Sequence, residues 1–195
     1  MESTHDMIEQ FVKEKLLLTG EGAHTLDHTR RVFALSIRIG KRMGANLKIL
    51  GAAALLHDIG RQEEAITGIS HSISSGDMSQ EVLIRAGFIK SEIENVIDAI
   101  RTHRFSEMIE PNSLEGKILS DVDKLDAMGA IGVFRAIAQA TSTNVGIEGF
   151  LSHADEKLLR LKDLMYTDGA RVVAEERHRT LEMFVIQLRE ELELE

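Results

Sequence analysis

Four of the eight histidines stand where a hydrophobic stripe would otherwise continue. His28 opens the line of Val32, Leu35 and Ile39, and His57 ends the apolar run of residues 52–56 with Asp58 directly behind it. His71 lies on the line projected by Met78 and Val82, and His103 extends the face of Ile93, Val96, Ile97 and Ile100. Burying an imidazole or a carboxylate without a partner costs several kcal/mol, so something must satisfy these groups. A single histidine of this kind reads as a hydrogen-bonded core residue. Four on four helices point to a shared cation, because neutral imidazole ligates transition metals and one ion satisfies several rings at once.

The adjacent pair His57 and Asp58 supports that reading. Neighbours on a helix point about 100° apart, so they meet one partner only near a helix end. Gly60 supplies such an end, and the negative pole of the helix dipole favours a cation there. A carboxylate-rich counterpart follows in the segment ILSDVDKLDAMGAIG. Asp123 and Asp126 share a helix face and Asp121 does not share it with Asp123. Periodicity does not choose among them, and taken alone the three read as a solvated acidic face.

The elements that must position these residues read almost entirely at helical period. Helices are expected over about 3–18, stopping at Gly20, then over about 25–43 and about 46–59. A loop follows, and then a helix from near His71. The next opens with SEIE, where Ser91 and Glu94 have capping-box spacing. The single proline, Pro111, precedes another with Asn112 or Ser113 as cap. Helices over about 128–140, 147–164 and 168–193 complete the chain. Strand alternation is absent over any useful length, so the expected class is all-α.

At 195 residues the chain suits one well-packed domain, and we expect a single helical domain over 1–195. A net charge of −9 argues against general nucleic-acid binding, which needs a basic surface. It leaves room for an anionic small ligand in a locally cationic pocket. With no cysteine there is no disulfide, thiolate metal site or thiol nucleophile. The first residues, MESTHDMIEQ, lack the pattern of a secretory signal, and no window reaches the roughly 20 apolar residues of a membrane span. A cytoplasmic protein without membrane contact is the expectation, and the amphipathic helix near 168–193 is a possible homodimer surface.

The ordered set His28, His57–Asp58 and Asp123 resembles the HD-domain superfamily of metal-dependent phosphohydrolases. The segments that carry the likeness are DHTRRV (27–32), LLHDIGR (55–61) and DVDKLDAMGAIG (121–132). The last is similar to the subgroup whose final aspartate lies within DADRLDA, and the tail EKLLRLKDLMYTDGARVVAEERH (156–178) resembles its closing helices. The likeness runs over about residues 20–180, which it implies as the core, and it implies an all-α bundle in which His28, His57, Asp58 and Asp123 bind one divalent ion. Members with two ions add two histidines in the order that His71 and His103 occupy here; in one-ion members such histidines bind phosphate or move protons. Where the subgroup often has HDWWH, this chain has HTLDH, keeping His24 and His28. His24, four residues before His28, is a candidate support for it. Arg61 replaces a frequent lysine.

Two imidazoles and two carboxylates suit manganese, iron, cobalt, nickel or zinc, and magnesium less well. Such an ion polarises a phosphate and acidifies water near neutral pH. Phosphate esters also need cationic contacts, for which Arg31, on the face of His28, comes first, then Arg61 and Lys124. The expected function is therefore metal-dependent hydrolysis of a nucleotide or related small phosphate compound. The subgroup implies nucleoside triphosphates split with release of pyrophosphate. The alternatives are a two-metal phosphodiesterase, a non-catalytic nucleotide-binding module, and a purely structural helical protein.

Overall fold

The structure is a computed structural model that describes residues 4–16 and 26–193. Among these residues it holds ten α-helices and no strand, as the periodicity predicts. They form two compact units, residues 1–122 and 123–195.

In the first unit, α1 (Thr4–Leu16), α2 (Leu26–Met43), α3 (Leu47–Leu56), α5 (His71–Arg85) and α6 (Lys90–Arg101) build the core. α3 lies at its centre because it is apolar on nearly every side; each of residues 49–56 is buried. Asn46 starts it by accepting the Lys48 and Ile49 N–H groups, which otherwise lack helical partners. Small residues let α2 come close: a Cβ on Gly51 would meet the Phe33 ring at 3.1 Å. The predicted α2 stripe of His28, Val32, Leu35 and Ile39 is buried throughout.

Three features of the first unit differ from the sequence reading, each for a local reason. α3 stops at Leu56, and residues 57–60 continue as a tight turn instead of a last helical turn. The stretch read as a loop carries a short helix, α4 (Arg61–Thr67), closed by Gly68 in the left-handed region at φ 75°. α6 begins at Lys90, so the cap is not Ser91: Glu92 reaches back to accept the Ile89 N–H at 3.0 Å. Ser113 does cap α7 (Leu114–Asp126), accepting the Gly116 N–H at 3.0 Å.

The second unit contains the end of α7, then α8 (Gly129–Ser142), α9 (Gly146–Glu156) and α10 (Asp168–Glu193). The helix expected over 147–164 breaks at Lys157 into a 3₁₀ segment, Leu158–Leu164. α10 buries Ala170, Ala174, His178, Leu181 and Val185, a single stripe at helical spacing. Phe150 of α9 meets Phe184 of α10 edge to face, with centroids 5.8 Å apart. No helix among the described residues is long and apolar enough to cross a membrane.

Candidate metal centre

Asp58 sits at the middle of the four histidines that the sequence singled out. Its Oδ2 lies 3.5 Å from His28 Nε2 and 3.6 Å from His57 Nε2. Its Oδ1 lies 3.4 Å from His71 Nε2 and 4.0 Å from His103 Nε2. The His28 and His57 Nε2 atoms are 3.3 Å apart. All five side chains are buried, none more than 2 % exposed.

Separate elements deliver them. α2 brings His28 in near its start, and the turn after α3 lets His57 and Asp58 face one point although they are sequence neighbours. α5 begins at His71, and His103 follows the end of α6, its carbonyl accepting the Ser120 hydroxyl at 2.8 Å. Gly60 allows the turn to lie against α5. A Cβ there would stand 2.6 Å from the Ser75 nitrogen, and the Gly60 N–H donates to Ser75 Oγ at 2.9 Å.

The outer nitrogens of the rings reveal what the inner ones are for. His57 Nδ1 lies 2.9 Å from the Ala54 carbonyl and His103 Nδ1 lies 2.5 Å from the Ile100 carbonyl. A carbonyl only accepts, so Nδ1 carries a proton, and of the two neutral tautomers this selects the one whose Nε2 presents a lone pair. His71 Nδ1 likewise donates to Glu64 Oε2 at 2.7 Å. Burial, helped by the Arg61 charge and opposed by Asp58, pushes His71 down to about 4, so its ring is neutral at pH 7. For Glu64, burial works to raise the carboxyl, but the hydrogen bonds from His71 and Arg104 outweigh it and hold the group below its ordinary range.

At His57, His71 and His103 this tautomer sets a lone pair against the Asp58 carboxylate, acceptor against acceptor. His71 Nε2 and His103 Nε2 are buried without any hydrogen-bond partner, a loss of about 1–3 kcal/mol for each such group. A divalent cation is the partner that satisfies nitrogen lone pairs and carboxylate oxygens together. Two sets converge closely enough to hold one, His28–His57–Asp58 and Asp58–His71–His103, each with donor atoms within 4.8 Å of one another. The mixed N/O donors match the chemistry inferred from residue types.

The cations and carboxylates fall out differently. Arg61 Nε donates to Asp58 Oδ1 at 2.9 Å, which places a guanidinium at the cluster's edge. Arg31 is half-buried on α2. In the second unit Lys124 is buried with its ammonium 4.5 Å above the Tyr166 ring, and Asp123 is partly buried. The solvated acidic face is corrected: Asp121 and Asp126 are both buried, and Asp126 accepts from Arg135 at 2.7 Å. His24 lies outside the described residues. Sequence reasoning missed Glu64 and Arg104, whose side chains back His71.

Comparison with known proteins agrees with this geometry. The HD domain model matches residues 25–128, a span that contains all five clustered side chains. An uncharacterized protein of Bacillus subtilis, YpgQ, is 37% identical over 185 residues, covering 90% of this chain and 88% of YpgQ. The crystal structure of YpgQ in complex with ADP superposes with a TM-score of 0.79 at 33% identity, over 96% of this chain and 94% of that one. A predicted HD superfamily hydrolase from an uncultured Thermotogales bacterium gives a TM-score of 0.73 at 34% identity, over 95% of this chain and 91% of that one. With the His and Asp residues of the motif gathered around one buried carboxylate, this chain belongs to the HD-domain family and is an HD-superfamily hydrolase.

Proposed function

We propose that this hydrolase is a metal-dependent phosphohydrolase acting on a nucleotide or a related small phosphate compound, with nucleoside triphosphates split to release pyrophosphate as the leading case. The observation that carries the reading is the set of buried Nε2 atoms turned toward Asp58. A divalent ion held there supplies Lewis acidity, polarising a phosphate and acidifying water. Manganese, iron, cobalt, nickel and zinc suit the donors better than magnesium. His28, His57 and Asp58 are the holding residues, and we propose Asp123 as their fourth, from the resemblance of its motif.

The chain's own groups have separate tasks in this reading. Asp58 holds the cation through one oxygen while Arg61 grips the other, which fixes the carboxylate plane. Arg61 and Arg31, with Lys124, are proposed to receive the phosphate oxygens and spread the charge that builds as the bond breaks. A nucleotide is favoured as substrate because the related YpgQ was crystallised with ADP. The His71 and His103 atoms beside Oδ1 support a variant of the same reading in which a second ion binds.

The test is purified protein supplied with Mn²⁺ and a panel of nucleoside mono-, di- and triphosphates, assayed for phosphate and pyrophosphate. The expected result is metal-dependent product formation from at least one nucleotide, lost in His57→Ala. Absence of product across several metals, with His57→Ala indistinguishable from the parent, overturns the reading. A metal titration monitored by calorimetry distinguishes one bound ion from two.

A further inference from the structure

His71 differs from its neighbours in how it is held. His57 and His103 each donate Nδ1–H to the carbonyl three residues back on the helix they end, Ala54 and Ile100. Such a carbonyl lies behind the ring only where a helical turn precedes the residue. His71 is the first residue of α5, so no preceding turn faces its ring, and Nδ1 finds Glu64 from α4 instead. Glu64 is itself anchored. Its N–H donates to the Gly60 carbonyl, its carbonyl accepts the Gly68 N–H, and its second carboxylate oxygen accepts from Arg104 Nη1. Arg104 Nη1 also donates to Ser70 Oγ at 3.2 Å, one residue before His71.

We propose that Glu64 is a positioning residue: held by Arg104, it keeps the His71 proton on Nδ1 and turns the Nε2 lone pair toward Asp58, making His71 competent to ligate a cation. This rests on reading the histidine cluster as a metal centre. A carboxylate behind an imidazole does two things that a carbonyl does less well. It fixes the tautomer and, being anionic, raises the donor strength of the far nitrogen. Without Glu64, Asp58 Oδ1, 3.4 Å from Nε2, remains as an anionic acceptor for a His71 proton. The proton then belongs on Nε2, where it blocks the lone pair.

The experiment uses the full chain and two variants, Glu64→Ala and Glu64→Gln. Imidazole nitrogen NMR of the metal-free protein reads the His71 tautomer, and calorimetry with Mn²⁺ reads affinity. In Glu64→Ala the proton moves to Nε2 and Mn²⁺ binding weakens about 10–100-fold. In Glu64→Gln the single amide oxygen cannot accept from both His71 and Arg104, so the charge and one of the two acceptors are lost together and affinity falls by an intermediate factor. A His71 that keeps Nδ1–H in Glu64→Ala, or Mn²⁺ affinity within twofold of the parent in both variants, overturns the proposal. If Glu64→Ala does not fold, Glu64→Gln decides alone: weakened Mn²⁺ binding in a variant that keeps the parent's fold supports the role and parental affinity refutes it. Because the tautomer is read without metal or nucleotide, it stands or falls separately from the hydrolytic reading.

Discussion

The two sides of Asp58 are built by different rules. On the Oδ2 side, His57 is braced by its own helix and His28 enters on a continuous buried stripe. On the Oδ1 side, His103 is braced by its own helix in the same way, but its companion His71 depends on Glu64 from a seven-residue helix and on Arg104 from beyond α6. A side that carries its own support is specified locally. The other is specified only once the chain has folded, and it is correspondingly easier to detach. Asp58 alone belongs to both, which ranks the perturbations.

The largest effect is expected at that shared residue. Asp58→Asn removes the charge that all four rings face, and hydrolysis should fall at least about a thousand-fold, some 4 kcal/mol in the barrier, measured as initial rate at saturating Mn²⁺. Next comes the contrast between sides. An ion at 100 times its dissociation constant stabilises the fold by about 2.7 kcal/mol, which a thermal melt with and without Mn²⁺ reports. His57→Ala should abolish that gain, whereas His71→Ala should retain part of it through His28 and Asp58. Equal loss in the two variants breaks the asymmetry.

Gly60→Ala acts on the frame of the weaker side. Its Cβ would lie 2.6 Å from the Ser75 nitrogen, a backbone atom that cannot swing away. Overpacking of this kind costs about 1–3 kcal/mol, read from urea denaturation, and should weaken Mn²⁺ binding more than an equally destabilising change elsewhere.

The smallest effect is a pH dependence of the metal-free protein. Burial, with Arg61, holds folded His71 at about 4 against an ordinary value of 6.5. The unfolded chain therefore binds the extra proton first, so stability falls as pH drops through the window from 6.5 to 4 and rises with pH across it. On the order of 2 kcal/mol should disappear between pH 6.5 and 5 in chelator-treated protein, and His71→Ala should flatten that slope.

The same asymmetry explains what the sequence made legible. His28, His57, His71 and His103 each interrupt an apolar stripe, and stripes are a periodic signal that survives without coordinates. Glu64 breaks no stripe: α4 buries none of its residues, so RQEEAITG has no inward face and reads as loop. Its role lies in a contact seven residues away in sequence, across a left-handed Gly68. Asp121 and Asp126 failed for the opposite reason. Carboxylates on a helix default to solvent, and only a tertiary partner such as Arg135 makes burial tolerable. The α6 start differs because the segment IKSEIE (89–94) holds the capping spacing twice, once from Ser91 to Glu94 and once, two residues earlier, from Ile89 to Glu92.

The most direct test of the cation-binding account is anomalous diffraction at the manganese edge from crystals grown with Mn²⁺. The account predicts a peak bounded by His28, His57 and Asp58 that vanishes in Asp58→Asn crystals. A parent crystal with no anomalous peak among these side chains, despite Mn²⁺ in excess, would contradict it.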